Sequence, residues 1–104
     1  MNRVILAPKL QGETQTYTFD FASQLAVGET ISTQSVAATV YSGTDASPSS
    51  IISGSASAAG TVVSQKLTAG TVGVIYTLVC TITTSASQTL QLAGYLAITP
   101  SVPQ

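Results

Sequence analysis

The sequence has no histidine, no tryptophan and a single cysteine, Cys80. Without histidine, neither a Ser-His-Asp set nor a Cys-His pair can form within the chain. With one thiol, a zinc site of the usual ligands cannot be assembled either. One cysteine also excludes an intrachain disulfide, so packing alone must hold the fold. Charge is scarce. Only Arg3, Lys9, Glu13, Asp20, Glu29, Asp45 and Lys66 carry it. They make up 7% of the chain, where an ordinary soluble domain carries about 25%. The net charge is −1 with no cluster of lysine and arginine, so the electrostatic footprint of a nucleic-acid binder is missing. Long apolar runs are missing too. The stretch 72–82 is broken by Gly73, Thr77 and Thr81, well short of the ~20 residues that cross a bilayer as a helix. The run before Pro8 is shorter than the roughly 7–15 apolar residues of an export signal, and none is expected. The glycines fall singly, with no phosphate-binding loop among them. No catalytic set, cofactor, metal, nucleic-acid or membrane partner is expected.

Hydroxyl stands where charge is missing: 16 threonines and 14 serines occur in 104 residues. The length suits one domain, since domains cluster near roughly 100–150 residues. Faces covered by hydroxyls can be buried against another protein without stranding an ion, whereas a freely diffusing domain usually carries more charge. The composition reads as that of a subunit meant to be surrounded. The carboxylates each sit alone among hydroxyl and apolar residues, which suits solvated strand and turn charges better than an acid/base pair.

Two-residue alternation dominates from Thr14 onward and predicts strands. In Gln15–Phe21 it puts Tyr17, Phe19 and Phe21 on one face, with Thr16, Thr18 and Asp20 on the other. A connection closed by Gly28 follows. Ile31 then restarts the pattern, but Val36, Ala38 and Val40 stand on the opposite parity, which predicts a bulge around Thr33–Ser35. The Ser/Ala/Gly stretch from Ser42 to Gly60 reads as a flexible linker or, preferably, as a short strand at Ser50–Ser53 that gives Ile51 and Ile52 a place to pack. Thr61–Thr68 is a further strand, and Ala69–Gly73 a turn. Tyr76, Leu78, Cys80 and Ile82, then Leu90, Leu92, Leu96 and Ile98, alternate along a long antiparallel hairpin. Ile75 and Val79 interrupt its polar face, as expected where something covers it. The predicted fold is all-β, an immunoglobulin-like antiparallel β-sandwich of six to seven strands. Residues 14–99 form the sandwich, 1–13 an N-terminal arm or edge segment, and 100–104 an extended tail. The expected core is Tyr17, Phe19, Phe21, Val40, Tyr76, Leu78, Cys80, Ile82, Leu92 and Leu96.

The order of short motifs carries a resemblance. Tyr17-Thr18-Phe19-Asp20-Phe21 is followed by Gly28-Glu29-Thr30-Ile31, then by Gly70-Thr71-Val72-Gly73 with Tyr76, then by Thr81-Ile82-Thr83-Thr84-Ser85. This string resembles the small phage virion proteins of the fiber–tail adaptor family, over roughly Tyr17 to Ile98. Phe21 stands where that family often has tryptophan, and Ser85-Ala86-Ser87-Gln88 lacks its glycine and basic residue. The resemblance implies a non-enzymatic structural subunit, made in the host cytoplasm and located in the virion. Its partners would be other virion proteins of the tail, fibre, portal or capsid, with several copies in a symmetric assembly. The expected contacts are an arm containing Arg3, Val4, Ile5, Leu6, Pro8 and Lys9, docking by strand addition or pairing with its own sheet. Asp20, the loop residues Asp45 and Pro48, and the tail after Thr99 are the others. Alternatives of the same architecture are a capsid decoration protein, a cell-surface domain, or a carbohydrate-binding module. The last usually exposes the aromatic platforms that this chain has little material to build.

Overall fold

The alternation resolves into two sheets whose inner faces meet. In the computed structural model, residues 2–5 and 9–99 are described, the first four by backbone alone. The strands are β1 (Asn2–Ile5), β2 (Lys9–Leu10), β3 (Thr14–Asp20), β4 (Ile31–Ser42), β5 (Ile52–Ala59), β6 (Val62–Thr68), β7 (Ile75–Thr84) and β8 (Thr89–Thr99). A single 3-10 turn, Pro48–Ile51, precedes β5. The larger sheet runs β1-β8-β7-β4, with β2 also pairing β8, and the smaller runs β3-β6-β5.

Burial follows the pleat. Along β7 each second residue is buried, and Tyr76, Leu78, Cys80 and Ile82 are fully enclosed. Leu92, Leu96 and Ile98 of β8 join them from one side and Ala38 of β4 from the other. Tyr17 and Phe19 of β3, Val63 and Leu67 of β6, and Phe21 just past β3 close the same core from the smaller sheet. Val40 is half-buried at its rim. Burial also pushes the Cys80 thiol up to about 12, because the thiolate has no water to solvate it.

Four expectations need correction. Among the described residues there are eight strands, not six or seven, because the N-terminal segment adds two. The larger sheet is mixed and not purely antiparallel: β1 and β2 both run parallel to β8, with Asn2 opposite Leu92 and Lys9 opposite Ile98. The segment from Ser42 to Gly60 is neither linker nor a strand at Ser50–Ser53. Pro48 begins the 3-10 turn, which drives Ile51 into the core, and β5 starts at Ile52. The one-residue slip expected between Ile31 and Val36 is present but lies at Ser32, and a second falls at Tyr41 near the other end of β4. Thr33–Ser35 is in regular register.

Leu78→Ala is expected to destabilise the domain by about 2–5 kcal/mol, the cost of a cavity in a core that cannot collapse freely, measured by urea unfolding. Cys80 is expected to resist thiol reagents at neutral pH in the native protein and to react fully once denatured. Rapid labelling without denaturant would show that β7 is not enclosed as described.

Candidate functional site

No described residues form a catalytic arrangement, and no three of histidine, cysteine, aspartate or glutamate come together among them. The chemistry of the charged groups is instead directed inward. At one end of the molecule the turn 69–73 meets the loop after β4. Tyr76 is wholly buried, yet its hydroxyl donates to Asp45 Oδ2 at 2.6 Å and accepts the Thr71 N–H at 2.9 Å. The Ser47 N–H adds a bond of 2.9 Å to Asp45 Oδ1. These donors, the Tyr76 hydroxyl foremost, hold the Asp45 carboxyl below its ordinary value.

Lys9 completes that end. It is 1% exposed, and its ammonium donates to the carbonyls of Leu10 at 2.8 Å and Ala69 at 2.7 Å. Burial lowers its pKa, against the opposing pull of Glu13. Gln11 Nε2 reaches the Gly70 carbonyl. Gly70 has φ of +104° and lies so close to Ile98 that a Cβ would meet Cγ1 at 2.8 Å, so glycine is required there on both counts. The β2 segment is thus fastened to the turn that Tyr76 also orders.

The opposite motifs of the sequence meet as well. Glu29 accepts a hydrogen bond from the Thr84 hydroxyl and another from the Ala26 N–H at 2.9 Å. Thr84 Oγ1 in turn accepts the N–H of Gln88 at 3.2 Å, and Thr30 and Ser85 bond each other twice. The Thr84 hydroxyl is the main cause that holds the Glu29 carboxyl below its ordinary value. The Gly28-Glu29-Thr30 turn and the Thr-Thr-Ser turn are one clamp.

The residues expected to make contacts are therefore scattered. Asp20 bonds the Ala22 N–H at 2.9 Å and the Thr61 hydroxyl at 3.1 Å. Asp45 and Lys9 are held by their own chain, and Lys9, in the segment expected as either a docking arm or an edge of its own sheet, is buried in β2 beside β8. Pro48 is half-buried at the start of the 3-10 turn. Arg3, Val4 and Ile5 are placed by backbone in β1, against the chain's own β8. Leu6, Pro8 and the tail beyond Thr99 lie outside the described residues.

The few charges and the interrupted polar face noted in the sequence correspond to a surface without charge across β4, β7 and β8. The outward residues of β4, β7 and β8 include Ala37, Thr39, Thr77, Val79, Ala93 and Tyr95, and no charged residue occurs in these three strands. Tyr41 and Tyr95 pack on this face with ring centroids 4.5 Å apart. The interruptions at Ile75 and Val79 were its signal. Lys66 is the one charged side chain with no hydrogen bond or ion pair among the residues whose side chains are described. It lies beside the hydroxyls of Thr16, Ser53, Ser57 and Ser64. No helix of the described residues is long and apolar enough to cross a membrane.

Residues 9–96 match the family model described as podophage GP4 fiber-tail adaptor protein gp77. No curated protein matches the chain.

Two outcomes follow from the inward bonding. Asp45 and Glu29 are depressed below ordinary values of 3.8 and 4.5. A depressed carboxylate contributes stability that is full above its unfolded value and is lost as pH falls through the folded one. Melting temperature is therefore expected to fall between about pH 5 and pH 2, and less steeply in a Tyr76→Phe/Thr84→Val double variant. Equal slopes in the two proteins would show that these hydroxyls do not set the carboxyls. Gly70→Ala is expected to cost about 1–3 kcal/mol through backbone strain alone, with the Ile98 clash in addition, measured by thermal melting.

Proposed function

The chain belongs to the podophage fiber-tail adaptor family, a family of structural phage proteins, and from that premise we propose that it is a non-enzymatic adaptor joining fibre to tail in the virion. The family match over residues 9–96 carries the reading. The charge distribution supports it. Five of the seven charged side chains are hydrogen-bonded within their own chain, and β4, β7 and β8, the strands of the larger sheet beyond Arg3 in β1, carry no charge on their outer face. Such a face can be buried in an assembly without the cost of desolvating an unpaired ion. The fold serves as an immunoglobulin-like spacer, a stack of two sheets measuring 49 × 20 × 20 Å that presents different surfaces along its length. Its partners are other virion proteins, contacted in several copies, and its synthesis takes place in the host cytoplasm.

Phage particles made without the protein are expected to assemble heads and tails but to lack fibres by electron microscopy, and purified protein added back is expected to restore them. Particles that carry fibres normally in its absence would overturn the reading. Loss of capsid stability with fibres intact would point to decoration of the head.

A further inference from the structure

The four edges of the two sheets are not alike. An unpaired edge strand is a template for another chain, and proteins that remain single blunt such edges with short strands, charges, prolines or bulges. The β1 and β2 edge is short, with strands of four and two residues. The β3 edge ends on the Asp20 carboxylate. The β5 edge is interrupted by a bulge between Ser53 and Ser57, where Gly54 takes φ of +74° and the buried Gln65 amide holds the Ser53 and Gly54 carbonyls. β4 has no such protection along its middle. It is twelve residues long with neither charge nor proline. Its bulges lie at its ends and leave residues 33–40 in regular register.

β4 pairs with β7 alone. Among the described residues it makes no backbone hydrogen bond outside that ladder. Val36 and Val40 are half-buried at the rim of the core, although their sheet neighbours Tyr76 and Cys80 are fully enclosed. A groove of about 280 Å³ lies between Val36 and β5, bounded by Ile52, Ala56 and the Gln34 side chain. The edge is long, regular and neutral, with room beside it.

We propose that β4 is a self-pairing edge, through which two copies join antiparallel and merge their larger sheets into one. A second copy fits because the strand is complementary to itself. Directly opposed residues in an antiparallel pair share a face, so the two-fold axis must fall on a residue. Centred on Val36, Ser35 faces Ala37 of the other copy. Centred on Ala37, that residue faces itself and Ser35 faces Thr39. In either register small and β-branched residues meet, and no charge opposes another. An isologous contact of this kind closes at two copies.

The test is the molar mass of the purified full chain, by light scattering and sedimentation over a range of concentration. A dimer is expected. A Ser35→Lys/Ala37→Lys variant sets lysine against lysine in both registers. It is expected to raise the dissociation constant about tenfold or more with an unchanged circular dichroism spectrum, because both positions are exposed. A Ser35→Glu/Ala37→Glu variant is expected to behave the same way, and an equimolar mixture of the two to dimerise again. Hydrogen exchange of the unmodified protein gives an independent reading, with β4 amides expected to slow as concentration rises. A monomer at every concentration, a dimer indifferent to the lysines, or β4 exchange independent of concentration would each overturn the proposal. So would a mixture that stays monomeric, or open-ended association.

Discussion

Tyr76 lies where packing and loop order meet. Its ring belongs to the row of β7 side chains enclosed by both sheets, and its hydroxyl reaches the end of the stack to bond Asp45 and Thr71. With no disulfide to close loops, the chain relies on such side chains to extend the order of the core outward. The same logic repeats at Thr84, the last buried residue of β7, which fixes Glu29 and the turn that follows it. One strand thus supplies the middle of the core and the anchor at each end.

That arrangement explains what became of the charges. A carboxylate that accepts backbone N–H groups and a hydroxyl is stabilised in place without a cation. Asp20, Glu29 and Asp45 are used this way, and Glu13 accepts the Leu10 N–H and the Gln15 side-chain amide. Lys9 is the converse, an ammonium held by carbonyls. The four carboxylates and Lys9 organise loops, and the outer face of β4, β7 and β8 is left to hydroxyls, small apolar residues and a pair of tyrosines.

The parts legible in the sequence are those governed by local period. Tyr17, Phe19 and Phe21 announce an inward face because alternation on a pleated strand leaves them no other arrangement, and the same holds for Tyr76 through Ile82. The parts not legible depend on groups far apart in the chain. Nothing in Asn2–Ile5 indicates that it will lie parallel to residues 92–95, since strand pairing is settled by which edge remains free after the hairpin has formed. A lone lysine reads as solvated, and the Ala69 carbonyl that receives Lys9 belongs to a turn 60 residues away. Asp45 was read as a loop charge for the same reason: its partner is 31 residues away. The uncharged outer face of β4, β7 and β8 was visible in the scarcity of charge and in two aliphatic residues where hydroxyls were due, but its extent was not.

The parallel placement of the first strands against the last has a mechanical consequence. Asn2 lies beside Leu92, whereas Thr99 lies beside Leu10, so a chain entering at one and leaving at the other crosses the larger sheet lengthwise. Tension applied between those two points pulls β1 and β8 along their own axes in opposite directions. The rungs between them are then loaded together in shear, not peeled one after another as at the end of a hairpin. Such a seam, though only four residues of β1 and two of β2 long, yields when its bonds fail together and not singly, which gives a slender domain resistance to traction along its length.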